Sequence, residues 1–518
     1  MLTAAPEATA TADPIPPPAA IPALRTDNLV DSVAIVLVLM LVQRLVGLVR
    51  AILFCRYMDP PELGRWDIAQ GFFTLAAPLS VLAVSSGLGR YVEHFRQRGQ
   101  MRAFLARVAA ACLALSAIAS AAIWLFADQL SQLIFDAPGE RTTMLLVAVG
   151  LVVVVAFNYF TELFTALRNA RAVAVLQVGN SVAFALFGAV FLFSGRTSAP
   201  AAVAAFDLSY LVTVIGSLVW LARRWRQFPA DGPALPGRQL WSKLLPFTLS
   251  VWLTSMVANL FDVVDRTMIV HLAPGTRTEN LATAGDYHSA RFMPLLLFSA
   301  AAMMGNLLTP HLTHDWEAGR KQQVSARLNL FLKMVGSVLV LGGLVAMVLA
   351  PVLFRIAFHN KFAGGEAVLP LSLSYCIWFG MFTIAQNYLW CLEKARLATA
   401  VLAIGLLTDV ALNFLLLPML GLQGAVLARS IAVLFSLVLV LAVSCRFGLK
   451  FDGGVWLILA LPALFPLGIV ATLGGVALVV FEATLGTRVF SAEEKRTIRQ
   501  GVAARLRKPM PKVGNEHA

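Results

Sequence analysis

Long apolar segments separated by short polar ones dominate the pattern of the chain. Runs of roughly 20 apolar residues, enough for a helix to cross about 30 Å of hydrocarbon, recur along almost its whole length. The pattern predicts twelve spans, near 30–53, 66–89, 104–127, 143–167, 172–194, 202–222, 243–268, 287–310, 329–352, 367–390, 398–417 and 424–444. The apolar stretch 455–482 follows and is too short for two full spans. It is either a kinked hairpin around Pro462 and Pro466 or a lone thirteenth span.

The composition agrees with a polytopic helical membrane protein and excludes a soluble globular one. Of the 518 residues, 59% are hydrophobic and only 13% are charged, whereas soluble surfaces are rich in charge. The net charge of +13 would suggest a nucleic-acid partner in a soluble protein. Here the basic residues cluster in loops, so membrane topology explains them better and no nucleic-acid partner is expected.

The basic residues are distributed unequally between alternate loops. Loops after the even-numbered spans, such as 223–243, are rich in Lys and Arg. The alternate loops carry only Arg56, Arg65, Arg141, Arg196, Arg277, Arg355 and Lys361. The positive-inside rule therefore predicts that the first set of loops and the N-terminus lie in the cytoplasm.

A weak internal repeat divides the chain into halves of six spans. Span four runs into "LRNARA" (167–172) and span ten into "LEKARL" (392–397), while "LGRWDIAQGF" opens span two and "AGDYHSARF" opens span eight. Six-span repeats must be parallel, and such transporters place the substrate between the halves. We predict an all-α protein with two parallel-repeat six-helix lobes around a central cavity. Its segments are a Pro/Ala-rich tail (1–28), an N-terminal lobe (29–222), a cytoplasmic linker (223–242), a C-terminal lobe (243–445), an additional apolar segment (446–486) and a basic tail (487–518).

Motifs of enzymes are missing from the sequence. No Walker A, GxSxG, HExxH or Rossmann glycine pattern occurs, and no long loop between the spans offers room for a catalytic domain. We therefore expect no enzyme, no cofactor and no metal site.

Two arginines interrupt the first apolar run, "LVQRLVGLVRAILF" (41–54). On a helix, Arg44 and Arg50 are about 9 Å apart along the axis and about 120° apart around it. An arginine at the bilayer centre costs about 2.5–3.5 kcal/mol or more unless it faces protein or water. No acidic residue lies within one turn of Arg44. We predict that Arg44 faces an aqueous cavity, with Gly47 allowing a bend that brings Arg50 towards it. An interhelical ion pair is the alternative.

Pairs of polar residues share a helix face in four further spans, because each pair is spaced by three or four residues. The pairs are Asn158/Glu162, Asp262/Arg266, His288/Arg291 and Asp409/Asn413. Three other charges, Asp207, Asp265 and Arg429, lie near span ends or beside opposite charge. For these three and for Asp262/Arg266, an interhelical ion pair or an interfacial position is the favoured interpretation.

Several stretches of the sequence resemble the polysaccharide flippases of the multidrug/oligosaccharidyl-lipid/polysaccharide exporter superfamily. They are "MDPPELGRWDIAQGFF", "DVVDRTMIV" followed by "AGDYHSARF", and "LNFLLLPMLGLQGAVLARSIA", where Gly421 and Gly424 would form a tight turn. The first span, "QRLVGLVRAILFCR", also resembles that of the lipid II flippases. It departs from them at Ala51, where an acid is usual, and in lacking a Phe-Ala-Glu-Gly stretch in span two. Another undecaprenyl-linked glycan is therefore the expected substrate.

The resemblance implies translocation of a lipid-linked, undecaprenyl-pyrophosphate-type oligosaccharide by alternating access, in the bacterial cytoplasmic (inner) membrane, for surface polysaccharide synthesis. It implies that arginines meet the pyrophosphate and that acids couple transport to a proton or sodium gradient. The candidate substrate-binding residues are Arg44, Arg50 and Arg291, and the candidate ion-coupling residues are Glu162, Asp409 and Asp262. Glycosyltransferases or a polymerase of a glycan assembly pathway are candidate partners. A cation-coupled multidrug exporter and a lipid II flippase remain alternatives.

Overall fold

Helices make up the regular structure of the described chain. The computed structural model describes residues 29–135, 140–486, 488–492 and 494–496, with side chains from residue 38 onward except at 306. The helices are α1 (Leu29–Tyr57), α2 (Pro60–Val81), α3 (Gly87–Gln97), α4 (Met101–Leu125), α5 (Ala127–Phe135), α6 (Arg141–Ala166), α7 (Ala170–Phe193), α8 (Ala199–Arg224), α9 (Gly237–Leu272), α10 (Arg277–Glu317), α11 (Lys321–Val352), α12 (Ala363–Ala385), α13 (Asn387–Cys391), α14 (Ala395–Leu420), α15 (Leu422–Arg446), α16 (Gly453–Ala460) and α17 (Ile469–Thr484).

Eleven helical segments of the described chain are long and apolar enough to cross a membrane, and there are twelve if the bent pair α2 and α3 counts as one span. The prediction of a polytopic all-α membrane protein is confirmed. The second predicted span, 66–89, is not straight, because α2 and α3 meet at 68°. Leu82 and Ala83 at the bend adopt left-handed backbone angles, with φ of 49° and 50°.

A side chain from the other half of the protein replaces the helical hydrogen bond that is lost at the proline inside α2. Pro78 has no N–H, so the carbonyl of Thr74 lacks its helical donor. The amide nitrogen of Asn259 in α9 donates to that carbonyl at 3.2 Å. The compensation joins α2 to α9 near the middle of both helices.

The internal repeat is visible in the backbone. Arg168 follows α6 within "LRNARA", and Glu393 follows α13 at the corresponding position of "LEKARL". Both residues have a φ of 56°, a left-handed angle that non-glycine residues seldom adopt. The same unusual corner at equivalent places indicates that the two halves fold alike.

The two lobes pack through the helices that open the repeated motifs. A Cβ on Gly64 of α2 would lie 1.9 Å from the carbonyl oxygen of Leu281 in α10, and a Cβ on Gly285 would lie 2.1 Å from the carbonyl oxygen of Pro60. Only glycine permits this approach. Gly64 and Gly285 occupy corresponding positions of the two motifs, so the lobes meet through equivalent surfaces.

We call the side of the protein that carries the loops 98–100, 167–169, 225–236, 318–320, 392–394 and 447–452 the basic face, and the opposite side the far face. Contacts between lobes occur at both. At the far face, the ammonium of Lys361 donates to the carboxylate of Asp59 at 3.0 Å. At the basic face, the hydroxyl of Tyr91 donates to the carbonyl of Lys243 at 3.1 Å. The described conformation is therefore held at both faces.

The C-terminal apolar segment is a hairpin, which decides between the two alternatives left by the sequence. A Cβ on Gly475 would lie 2.3 Å from Leu464, although these residues would be about 16 Å apart on a continuous helix. The turn is at Gly468, whose φ is 101°, rather than at the prolines before it. A Cβ on Gly454 would lie 2.3 Å from the carbonyl oxygen of Val489, so the two ends of the hairpin meet.

A buried lysine anchors both ends of that hairpin to α11. The Lys333 side chain is fully buried, and its ammonium lies 2.6 Å from Asp452 and 2.7 Å from Glu494. Residues beyond the hairpin therefore return to the basic face. The predicted tail 1–28 and most of the tail 487–518 lie outside the described residues.

Candidate functional site

A cavity of about 400 Å³ opens near the basic face between α1, the end of α6 and α7. Its lining mixes apolar and polar side chains and includes Met40, Gln43, Thr165, Arg168 and Gln177. Amides, a hydroxyl and a guanidinium together offer donors to an oxygen-rich ligand. The cavity thus combines space, polarity and positive charge at one end of the N-terminal lobe.

Arg44 lies beside this cavity on α1. It follows Gln43 and is one helical turn from Met40, both of which line the cavity. The Arg44 side chain is exposed, and no described residue forms a hydrogen bond or ion pair with it. Such a charge is costly against hydrocarbon, so a position of Arg44 facing the cavity and its water stays the prediction.

Arg50 lies in different surroundings. Its guanidinium stacks 4.1 Å from the centre of the Phe184 ring on α7. Helix α1 continues through Gly47 without a break, and the expected bend that would bring both arginines to one cavity stays a prediction. A cation–π contact of this kind stabilises by roughly 0.5–2 kcal/mol. Arg50 therefore helps to hold α1 on α7.

Glu162 shares a face of α6 with the cavity. It is half-buried, its neighbour Asn158 is exposed one turn away, and Thr165 in the cavity lining lies three residues further on. No described residue forms an ion pair with Glu162. The predicted shared face of Asn158 and Glu162 thus runs towards the cavity.

A network of charges connects the lobes nearer the far face. Asp67 of α2 is 1% exposed and accepts from His288 of α10 at 2.6 Å. Its carboxylate also lies 3.3 Å from the guanidinium of Arg266 in α9. Asp67 and His288 occupy corresponding positions of the two repeated motifs. We call Asp67, Arg266, Asp262, His288 and Arg291 the interlobe network.

Asp262 completes this network. Its half-exposed carboxylate lies 3.4 Å from Arg266 and 2.7 Å from the buried Arg291. The predicted Asp262–Arg266 pair is present. Arg291 was expected to contact substrate, yet its guanidinium is engaged by Asp262 in this conformation, so that role stays a prediction.

A second buried cluster lies within the C-terminal lobe. Asp409 of α14 accepts from Arg429 of α15 at 3.0 Å and from Asn413 at 3.2 Å. Asp265 accepts from Asn413 at 3.1 Å and from the hydroxyl of Tyr287 at 2.8 Å. Every acid of this cluster already has partners. The prediction that Asp409 or Asp262 binds a coupling cation therefore requires another conformation and stays untested.

One intramembrane acid differs from expectation. Asp207 was expected to be paired or interfacial, but it is 9% exposed and neither of its carboxyl oxygens has a hydrogen-bond partner among the described residues. Sequence reasoning also overlooked Asp67, whose partners His288 and Arg266 lie 221 and 199 residues away along the chain. The repeated motifs gave the only signal, because they align Asp67 with His288.

Comparison with known proteins agrees with this architecture. The family model described as "Polysaccharide biosynthesis protein" matches residues 29–313. No curated protein sequence matches the chain. The solved structure "Lipid II flippase MurJ, inward closed conformation" superposes with a TM-score of 0.68 at 12% identity, covering 87% of this chain and 99% of that one.

Two solved structures, each described as a multidrug resistance MATE family transporter of the MOP superfamily, are also similar in fold. The inward-facing one has a TM-score of 0.61 at 14% identity, covering 79% of this chain and 98% of that one. The outward-facing one has a TM-score of 0.56 at 16% identity, covering 80% and 94%. These likenesses show the fold, and the family match extends over more than half of the sequence, across α1 to α9 and most of α10. The chain is thus a multi-pass membrane protein that shares its fold with these solved structures, and it belongs to the polysaccharide biosynthesis protein family.

Proposed function

We propose that this protein moves a lipid-linked oligosaccharide, carried on an undecaprenyl-pyrophosphate-type lipid, across the bacterial cytoplasmic membrane for surface polysaccharide synthesis. The basic face is the cytoplasmic side, and the cavity beside Arg44 receives the headgroup there. The observation that carries the proposal is the exposed guanidinium of Arg44, which has no ion-pair partner among the described residues.

The contrast with the other arginines at membrane depth supports this role. Arg266, Arg291 and Arg429 each pair with at least one aspartate, and Arg50 covers an aromatic ring. Those four side chains are engaged within the protein. Arg44 is left with its donors available, and a guanidinium suits a phosphate because its planar fork donates two parallel hydrogen bonds.

The energetics of the substrate explain why a protein is needed. A sugar chain on a pyrophosphate has many hydroxyls and at least two charges, and each unpaired polar group costs about 2–7 kcal/mol in hydrocarbon. The polar groups in the cavity lining hold the headgroup while the lipid tail stays in the bilayer. Separation of α2 from α10 at the far face, with closure at the basic face, would then release the headgroup on the other side.

Glu162 is proposed to sense the coupling cation. It is an acid without an ion-pair partner among the described residues and shares a face with the cavity lining. Asp409 and Asp262 would contribute only in conformations that free them from Arg429 and Arg291. Glu162→Gln should weaken the dependence of transport on the ion gradient, measured as export at several imposed gradients. An unchanged dependence would remove Glu162 from coupling.

Binding of undecaprenyl pyrophosphate to the purified protein tests the proposal. We expect Arg44→Ala to weaken binding by about tenfold to 150-fold, because a hydrogen bond to a charged group contributes about 1.5–3 kcal/mol. Arg44→Lys should lose less binding affinity, since lysine keeps the positive charge but lacks the two parallel N–H donors of the guanidinium. Arg56→Ala, on the same helix near the far face, is the matched control.

The uncharged lipid undecaprenol separates recognition of the pyrophosphate from recognition of the tail. Its binding should be equal in wild type and Arg44→Ala. Undiminished binding of undecaprenyl pyrophosphate to Arg44→Ala would contradict the proposal. Tight binding of an organic cation in its place would favour a drug exporter.

A further inference from the structure

Asp207 is an unpaired acid inside the N-terminal lobe. It lies about 12 Å along α8 from Ala199, the first residue of that helix. Only 9% of its surface is exposed, and both carboxyl oxygens are buried without a hydrogen-bond partner among the described residues. None of the contacts at the cavity, in the interlobe network or in the C-terminal cluster uses it.

Its surroundings are apolar and tightly packed. A Cβ on Gly150 of α6 would lie 2.1 Å from an oxygen of the Asp207 carboxyl and 2.8 Å from the ring of Phe73 on α2. The Phe73 and Phe206 rings pack with centroids 5.1 Å apart, and Phe206 precedes Asp207 directly. The carboxyl is thus enclosed between the backbone of α6 and the aromatic rings beneath α2.

Charged groups on the neighbouring elements are directed elsewhere. On α2, Asp67 pairs with Arg266 and His288 in the interlobe network. On α6, Glu162 is about 18 Å further along the helix from Gly150. On α1, Arg50 stacks on Phe184 of α7.

Charged residues at the ends of these helices do not pair with Asp207 either. At the far face Arg65 binds Glu62 of its own helix and lies 2.7 Å from Glu140, which precedes α6. On α8 itself, the ring of Tyr210 packs on Phe206 at 4.4 Å, and Arg223 and Arg224 begin about 24 Å further along the helix than Asp207. No described ion pair includes Asp207. Its charge state therefore depends on burial and on access to water.

An ionised carboxylate in such a place is costly. Leaving a buried charge without a partner costs about 3–5 kcal/mol, whereas an unpaired neutral polar group costs about 1–3 kcal/mol. The neutral acid is thus the form that this conformation accepts. Among the described residues, no group of three or more His, Cys, Asp or Glu side chains is placed to hold a metal ion, so a proton is the cation that suits this single carboxyl.

We propose that Asp207 is a proton-binding site whose access to water is controlled by α2. The carboxylate takes one proton from water to become the neutral acid when α2 closes over it, and returns that proton to water when α2 lifts. This inference rests on the proposed transport function for its coupling step, and proton binding itself does not depend on the substrate.

The position of α2 explains the control. Phe73 and the Asp207 carboxyl meet at Gly150, and the helix that bears Phe73 also bears Asp67 of the interlobe network and Gly64 at the contact with α10. Helix α2 also ends at the 68° bend, where Leu82 and Ala83 hold left-handed angles. A movement that separates the lobes along α2 would therefore expose Asp207.

Infrared spectroscopy of the full chain in lipid vesicles at pH 7, with isotope-labelled aspartate, tests proton binding without substrate. The spectrum of wild type should contain a protonated-carboxyl C=O band that is missing in Asp207→Asn. Asp231→Asn, an exposed acid in the linker, should keep it. Asp207→Leu is a second variant suited to the apolar site and should also lack the band. Equal intensity in wild type and both Asp207 variants would overturn the proposal.

Export measured against pH tests the coupling step. Asp207→Asn imitates the neutral acid permanently, so its transport rate should respond less than that of wild type to an imposed proton gradient, while Asp231→Asn should respond as wild type does. An Asp207→Asn protein with the wild-type response would overturn the coupling step. If the wild-type protein shows the infrared band but does not move the lipid-linked glycan, the proposed transport function is wrong and the proton-binding site at Asp207 still stands.

Discussion

Loss of the Asp67 carboxylate should weaken closure of the far face. Asp67 accepts from His288 at 2.6 Å and lies 3.3 Å from Arg266, and its side chain is 1% exposed. Removing one partner of a buried ion pair costs about 3–5 kcal/mol. Arg266 still has Asp262 as an ion-pair partner at 3.4 Å when Asp67 is removed, so the lower end of this energy range applies. A loss of about 3 kcal/mol changes the ratio of closed to open protein roughly 150-fold.

A zero-length cross-linker measures that closure. A carbodiimide should join the ammonium of Lys361 to the carboxylate of Asp59, which lie 3.0 Å apart across the lobes. We expect abundant cross-linked peptide by mass spectrometry in wild type, little in Asp67→Ala, and none in Lys361→Arg. The matched control is Asp128→Ala, because its exposed pair stabilises by at most about 1 kcal/mol.

The result is interpretable only for folded protein, so each variant must first elute as a single species in size-exclusion chromatography. Asp67→Asn, which keeps the size of the side chain and loses its charge, should give an intermediate yield. A folded Asp67→Ala protein that forms the Asp59–Lys361 cross-link as readily as wild type would refute the role of the interlobe network in closure.

Three further outcomes follow from the packing and the charges. Gly150→Ala should lower the melting temperature measurably, because the added Cβ would lie 2.1 Å from the Asp207 carboxyl oxygen. Gly179→Ala should leave the melting temperature unchanged, because its Cβ would lie 3.8 Å from the nearest atom. Equal melting temperatures for the two variants would contradict this packing. Lys333→Met should loosen the C-terminal hairpin and speed its proteolysis, and an unchanged cleavage rate would show that this buried cation is not its anchor. A reporter fused after Lys243 should read cytoplasmic and one after Gly421 exoplasmic; the same reading from both would refute the proposed orientation.

The sequence was sufficient for features that depend on residues close along the chain. Apolar runs predicted the membrane-spanning helices, and helical spacing predicted the Asp262–Arg266 pair, because both follow from the geometry of one helix. The repeat predicted two halves of six spans, and equivalent backbone corners are found in its paired motifs at Arg168 and Glu393. The tight turn expected at Gly421 is present between α14 and α15.

Features that depend on how distant helices meet were beyond the sequence. The partnership of Asp67 with His288 requires the approach of α2 to α10, and the isolation of Asp207 requires Gly150 and Phe73 to close around it. No local spacing specifies either arrangement. The position of the hairpin turn at Gly468 was also not predicted, because Pro462 and Pro466 favoured a bend earlier in the segment.

Movement of the substrate across vesicles measures the central claim most directly. Purified protein in liposomes should transfer a fluorescent oligosaccharide linked through pyrophosphate to undecaprenol between leaflets, followed by quenching with an impermeant reductant. We expect rapid transfer by wild type and Arg56→Ala, partial transfer by Arg44→Lys, and severely reduced transfer by a correctly folded Arg44→Ala. Full transfer by Arg44→Ala, or no transfer by wild type, would contradict the account.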